Sequence, residues 1–188
     1  LKLNNIQKEN LECAIACALA AKIKINDIIK TLDKLKSASG RFEEIIYKKK
    51  SSKIIIDYAH TPDAIQNILK SYTIKSFKPS LVFGCGGERD KSKRKKMSII
   101  ANKYAKKVYL TDDNPRNENA NSIRKTLKKY CHKARDISNR RLAIQTAISE
   151  MHQKDILIIA GKGHEKYQII KNKNYLFDDF KVAKDFIK

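Results

Sequence analysis

The stretch Lys53-Ile54-Ile55-Ile56-Asp57-Tyr58-Ala59-His60-Thr61-Pro62-Asp63 decides the fold. An unbroken apolar run with no polar alternation reads as a strand buried on both faces, and such strands belong to parallel sheets. Thr61 can cap a helix by accepting from a free amide of its first turn, and Pro62 suits the first helical position, where its missing N–H is not needed. The segment is therefore strand, loop, helix. The same succession recurs along the chain, with strands expected at 42–48, 53–58, 80–85, 106–111 and 155–160. Between them, apolar residues repeat at helical spacing: Ala64, Ile65, Ile68, Leu69 and Tyr72, then Met97, Ile100, Ala101 and Tyr104. Ile123, Leu127 and Tyr130 make a third face, and Ile144, Ala147, Ile148 and Met151 a fourth. Alternation of this kind predicts an α/β fold, a mostly parallel sheet with helices on both faces.

The two ends differ from the middle. Tyr167–Ile170 and Tyr175–Phe177 flank Lys171-Asn172-Lys173-Asn174, which predicts a C-terminal β-hairpin before a last short helix. At the other end, helices are expected over 10–21 and 26–35, followed by the small, flexible Ser37-Ala38-Ser39-Gly40 as a linker. The expected division is a helical piece, 1–39, and an α/β domain, 40–188.

Composition narrows the function classes. No run approaches the roughly 18 consecutive apolar residues of a membrane span. Leu1-Lys2-Leu3-Asn4-Asn5 has neither the apolar core nor the cleavage site of a signal peptide, and the missing initiator Met suggests a fragment. Cys13, Cys17, Cys85 and Cys131 form no CxxC pair. They read as small core residues, with Cys13 and Cys17 one helical turn apart, and they favour the cytoplasm over an oxidising compartment. The net charge of +21 invites a nucleic-acid reading. The lysines are scattered, however, and the densest run, Lys91 to Lys96, has no interleaved aromatics on which bases would stack.

Unusual chemistry gathers where strands hand over to helices, the edge at which open α/β sheets bind ligands. Asp57 ends a buried strand, where an unpaired carboxylate is costly. A nucleotide phosphate near Asp57 and His60 would account for both, as would an Asp57–His60 pair bracing the turn. Gly84-Cys85-Gly86-Gly87-Glu88-Arg89-Asp90 offers three glycines whose amides can approach an anion, although the chain contains no GxxxxGK[ST]. Thr111-Asp112-Asp113-Asn114-Pro115-Arg116 can grip a zwitterion: carboxylates hold an ammonium and a guanidinium holds a carboxylate in a fork. Ala160-Gly161-Lys162-Gly163-His164-Glu165 follows the last strand of the sheet.

Taken in order, Gly40-Arg41-Phe42-Glu43, Asp57 to Asp63, Gly84 to Asp90, Asp113-Asn114-Pro115-Arg116 and Gly161-Lys162-Gly163-His164-Glu165 closely resemble the C-terminal part of the Mur ligases. The resemblance is to the branch that adds the third residue of the peptidoglycan stem peptide, and it covers essentially the whole chain. It implies a Rossmann-like domain that binds the incoming amino acid and closes over ATP. It also implies that 1–39 are the last helices of a central ATPase domain, with that domain's P-loop and the UDP-binding domain lying outside this sequence. Asp-Asn-Pro-Arg marks family members that take meso-diaminopimelate in place of lysine. By resemblance, Arg89 and Arg116 hold a substrate carboxylate, Asp113 and Glu165 accept from the distal ammonium, and Asn114, Pro115 and Gly161 complete the pocket. Asn10, Arg41, Asp57 and His60 are implied to meet ATP. Gln7 and Glu88 depart from the family pattern, which commonly has Asn and Asp there.

The implied reaction is ATP-driven, magnesium-assisted amide formation on UDP-MurNAc-L-Ala-D-Glu in the cytoplasm, which the isolated fragment would not complete. The competing reading is a stand-alone module that binds diaminopimelate or nucleotide without chemistry.

Overall fold

The computed structural model describes residues 5–35, 38–73 and 77–188, so that Leu1 to Asn4 and the Ser37 end of the expected linker lie outside the described residues. The chain divides into two compact units, Leu1–Ser37 and Ala38–Lys188. The first is a helix pair, α1 (Asn5–Ala20) and α2 (Ile25–Leu32). Leu11, Ile15 and Ala18 of α1 line an apolar cleft of about 330 Å³ with Ile28 and Leu32 of α2. Two helices cannot cover each other on every side. Cys13 and Cys17, expected in a core, are exposed, whereas Cys85 and Cys131 are buried.

The second unit is a six-stranded sheet with the order β1-β2-β6-β3-β4-β5 and a separate two-stranded hairpin, β7-β8. The sheet strands are β1 (Glu43–Tyr47), β2 (Ser52–Asp57), β3 (Ser80–Phe83), β4 (Val108–Leu110), β5 (Arg135–Asp136) and β6 (Ile156–Ala160). β1 is antiparallel to β2, and every other pairing in the sheet is parallel. Helices α3 (Pro62–Ser71), α4 (Ser92–Tyr104) and α5 (Ala120–Tyr130) connect the strands from β2 to β5, and α6 (Arg140–Ser149) returns the chain to β6. The hairpin, β7 (Tyr167–Ile170) and β8 (Lys173–Leu176), precedes α7 (Asp179–Phe186).

The apolar strands are continuous because both faces of the sheet are covered. Ile55, Leu81, Phe83, Val108, Leu110 and Ile158 pack with α3, α4 and α5 on one side. Their neighbours Ile54, Ile56, Val82, Tyr109, Leu157 and Ile159 pack with α6 and α7 on the other. Burying each such side chain stabilises the fold by about 1.5–3 kcal/mol. The helix starts are set by short polar side chains. Thr61 accepts from the Ala64 amide at 3.3 Å, Asn119 from Ser122 at 3.1 Å and Asn139 from Leu142 at 3.0 Å.

Three differences from the expected elements have local causes. β3 stops at Phe83 because Gly84 already turns away to meet the next loop. β5 carries two charged, exposed residues and is a strand only through its pairing with Tyr109 and Leu110. The hairpin turn is shorter than the four residues expected: Ile170 pairs directly with Lys173, and Lys171 takes the left-handed conformation, φ 54°.

One buried ion pair ties the second face together. Arg140, at the start of α6, donates through Nε and Nη2 to the two carboxylate oxygens of Asp179 at 2.8 and 2.7 Å, and through Nη2 to the Ala160 carbonyl at 3.0 Å. Both side chains are wholly buried, and Arg140 Nη1 has no acceptor among the described residues. Deleting one member of a buried pair strands the other's charge. Asp179→Ala is expected to lower the unfolding free energy by about 3–5 kcal/mol, read by urea denaturation.

Candidate functional site

Parallel strands align their carboxyl ends, so the loops after β2, β3, β4 and β6 emerge along one edge. The loop after β3 lies against the loop after β4 at backbone distance. A Cβ on Gly84 would sit 2.3 Å from the Thr111 carbonyl oxygen, and one on Gly87 would sit 1.9 Å from that of Pro115. These glycines are therefore required by loop-on-loop packing, a reason that the sequence reading, which gave them to an anion, did not contain. The contact is sealed by Gly87 N donating to the Asn114 carbonyl at 2.9 Å.

Arg116 takes the left-handed conformation at φ 53°, which turns its side chain back over this junction. Its Nη1 donates to the carbonyls of Gly87 at 2.9 Å and Asn114 at 3.3 Å. The rest of the guanidinium bonds nothing among the described residues. A Cβ on Gly86 would lie 3.0 Å from Arg116 Nη1 and 3.8 Å from Arg89 Cγ, so both arginines flank the same glycine. Arg89 is exposed.

Asn114, 4% exposed, is bonded on every side. Its Oδ1 accepts from Lys162 Nζ at 2.9 Å and from the Ile169 amide of β7 at 3.0 Å. Its Nδ2 donates to Glu165 Oε2 at 2.9 Å, and the same oxygen accepts from Lys162 Nζ at 3.0 Å. The two acids of the loop after β4 have separate fates. Asp112 pairs with Arg124, which also donates to Asp136 at 2.6 Å, and burial still pushes the Asp112 carboxyl above the usual range. Asp113 is 7% exposed, and its carboxylate receives no hydrogen bond among the described residues. It lies against Gly161, where an added Cβ would be 2.6 Å from Asp113 Oδ2; with φ 113° there, a side chain is excluded twice. Pro115 is buried beneath the loop.

A second group of side chains surrounds the loop after β2. The Arg41 guanidinium lies 4.8 Å from the centre of the Tyr58 ring. His60 and His164 lie with ring centres 4.5 and 5.1 Å from the same ring. Lys93 Nζ donates to the His60 carbonyl at 3.0 Å. Arg41, His60 and His164 are exposed. Asp57 and His60 are not partners: His60 Nδ1 bonds the Tyr58 carbonyl, while Asp57 accepts from the amides of Phe42 at 2.9 Å and Ala59 at 2.8 Å. Burial pushes the Asp57 carboxyl up, against the pull of those two amides and of Arg41. Through the Phe42 amide it holds the Arg41-Phe42 turn, where Phe42 has φ 49°. Asn10 is exposed on α1 of the first unit. Among the described residues, no three His, Cys, Asp or Glu side chains gather to hold a metal ion.

Residues 40–163 match the Mur ligase, glutamate ligase domain family, and the chain belongs to that family. It is 43% identical over 185 residues to the UDP-N-acetylmuramoyl-L-alanyl-D-glutamate--2,6-diaminopimelate ligase of Buchnera aphidicola subsp. Baizongia pistaciae, covering 95% of this chain and 36% of that protein. It is 41% identical over 191 residues to the enzyme of the same name from Rickettsia rickettsii, covering 99% and 39%. A solved structure of a UDP-N-acetylmuramoyl-L-alanyl-D-glutamate--2,6-diaminopimelate ligase matches with a TM-score of 0.73 at 36% identity, covering 98% of this chain and 39% of that one. The chain thus spans 36–39% of the length of these relatives.

One supporting pair and one supporting lysine lie outside the residues that the sequence singles out for a role. Arg94, 3% exposed, grips Glu118 with both ends of its fork at 2.6 and 2.8 Å and also donates to the Gly86 carbonyl at 3.2 Å, holding the glycine loop in place. The other is Lys162, which holds Asn114 and Glu165. Its signal was a lysine between two glycines immediately after a buried strand. The Arg94 hydrogen bonds pull the Glu118 carboxyl from its ordinary 4.5 down to about 2. A folded value below the unfolded one stabilises at higher pH and is lost as the group protonates. Glu118→Gln is therefore expected to be less stable than the parent at neutral pH, with the gap closing as the pH falls from 4.5 towards about 2 in acid-titrated thermal melts.

Proposed function

We propose that this chain is the amino-acid-binding, carboxy-terminal part of an ATP-dependent ligase that joins meso-diaminopimelate to UDP-MurNAc-L-Ala-D-Glu in peptidoglycan synthesis. The observation that carries the reading is charge of both signs at the junction of three loops. Asp113 presents an unbonded carboxylate beside Gly161, and Arg116 and Arg89 flank Gly86. The far end of diaminopimelate bears an ammonium and a carboxylate on one carbon. Asp113 and Glu165 accept from the ammonium, and the open edge of Arg116, with Arg89, takes the carboxylate. Lysine has only the amine there and would leave the arginines without a partner, and an unpaired polar group is the route to large discrimination. Asn114, Pro115 and Gly161 shape the pocket by holding the loops in register.

ATP, when bound, supplies the phosphoryl group that activates the D-glutamate carboxylate as an acyl phosphate for attack by the diaminopimelate amine, and magnesium offsets phosphate charge. In this chain, the exposed Arg41, His60 and His164 around Tyr58, with the half-buried Lys93 bonded to the His60 carbonyl, suit an anionic, ring-bearing nucleotide, with Asp57 bracing the turn that carries Arg41. The magnesium ligands would come from phosphate and from the rest of the enzyme. The first unit would end the central domain and carries Asn10, which the family resemblance gives to ATP, and both substrates being nucleotides argues for the cytoplasm. Catalysis by such a domain is positioning and electrostatics rather than covalent chemistry.

The chain alone is expected to give no turnover with ATP, UDP-MurNAc-dipeptide and diaminopimelate. Fused to the amino-terminal part of a diaminopimelate-adding relative, it is expected to give amide product. In that fusion, Arg116→Ala should lower kcat/KM for diaminopimelate by about 30-fold, the worth of one charge-assisted contact of about 2 kcal/mol. Unchanged kinetics would remove Arg116 from the site. Diaminopimelate binding by the chain with no turnover in the fusion would favour a binding module.

A further inference from the structure

The geometry points to Lys162 as the positioning residue that orients the diaminopimelate pocket, an inference that rests on the reading of that pocket given above. Lys162 is wholly buried, so its ammonium reaches no ligand directly. It sits between Gly161 and Gly163, both with positive φ, which turn the chain so that the lysine points inward while His164 remains exposed. Its Nζ donates to Asn114 Oδ1 at 2.9 Å and to Glu165 Oε2 at 3.0 Å. Removing an ammonium from water is tolerated only with such partners.

Two consequences follow for the pocket. A carboxamide is nearly symmetric in shape, so its direction is set by its partners. Asn114 Oδ1 faces two donors, Lys162 Nζ and the Ile169 amide, and a flipped amide would oppose its own N–H groups to both. Lys162 thereby commits Asn114 Nδ2 to Glu165, at 2.9 Å. Glu165 Oε2 is then held by Lys162 and Asn114 together, which leaves Oε1 as the oxygen for a ligand ammonium. Asp113, one residue before Asn114, has no such clamp and keeps its carboxylate for the ligand. Lys162 therefore acts on the substrate through Asn114 and Glu165, and its loss should be felt at the amino-acid site and not at the nucleotide site.

The test uses the fusion described above, with Lys162→Met, which keeps the stem but removes the charge, and Lys162→Gln, which keeps one donor. Hydrogen bonds to charged groups are worth enough that KM for diaminopimelate should rise about tenfold or more in K162M and about threefold in K162Q. KM for ATP and for UDP-MurNAc-dipeptide should stay within about twofold, because neither substrate meets this network. Adding Glu165→Gln to K162M should cost much less than it does alone, since groups acting through one network are not additive. Equal KM for diaminopimelate in parent and K162M overturns the role. So does a parallel rise in all three KM values with a lowered Tm, which marks a purely structural lysine. If K162M fails to fold, K162Q with and without Glu165→Gln decides on the same readouts. A parent fusion that ignores diaminopimelate overturns the pocket itself, and the lysine's role with it; a parent that uses it beside indifferent lysine variants overturns the lysine alone.

Discussion

The carboxyl edge of the sheet hangs on the single residue Asn114. Its backbone carbonyl receives the Gly87 amide and Arg116 Nη1, its side-chain oxygen receives Lys162 and the Ile169 amide, and its side-chain nitrogen reaches Glu165. Three strand-end loops and the hairpin are thus referred to one residue, and the loop after β6 and the hairpin to its side-chain amide. No other residue type offers a donor and an acceptor at that reach in one rigid plane. Aspartate there would set a second carboxylate against Glu165, and leucine would leave the buried ammonium with Glu165 alone. The glycines make this junction possible by letting backbone approach backbone, and Arg94 with Glu118 fixes the loop from behind.

The electrostatic logic of the domain lies in which acids are spent. In a chain with 41 basic and 20 acidic residues, carboxylates are the scarce partner. The buried or nearly buried arginines take them: Arg140 holds Asp179, Arg94 holds Glu118, and Arg124 holds Asp112 and Asp136. Asp155 takes Lys106 at 2.9 Å. Asp113 stands apart from this pairing: it is buried, and its carboxylate receives no hydrogen bond among the described residues. A carboxylate left unpaired in a strongly cationic molecule is conspicuous, and it lies where three loops meet.

Much of this was legible in the sequence, for physical reasons. Runs such as Lys53-Ile54-Ile55-Ile56 announce a strand covered on both faces, and Thr61-Pro62 announces the helix that follows, because both signals are local. The loops were found because polar residues after buried strands are hard to explain otherwise. What stayed hidden was tertiary. Arg135-Asp136 has no strand character of its own and pairs only because β4 is beside it. Arg140 stands at the head of the Ala143, Ile144, Ala147 stripe, yet nothing nearby announces Asp179, 39 residues on. Asp57 could have met His60 or a phosphate; it meets the Ala59 amide two residues on and the Phe42 amide, and the second depends on a turn packed against it from 15 residues away. Gly84 and Gly87 read as anion contacts because the alternative, the carbonyls of Thr111 and Pro115, arrives from another strand.

The hairpin is joined to the loop after β4 by more than proximity. Arg116 donates its amide to the Ile169 carbonyl at 3.0 Å and accepts from the Lys171 amide at 2.8 Å, a one-residue parallel bridge. The left-handed Arg116 and the left-handed Lys171 therefore share a rigid frame. The place of the arginine is thus tied to the ribbon as well as to its own loop. A change of length or twist at the tip of an exposed ribbon, where sequence is cheap to vary, shifts the guanidinium through the backbone. A single edit at that exposed tip would then move a guanidinium at the loop junction, while the side chains buried around Asn114 keep their own bonds.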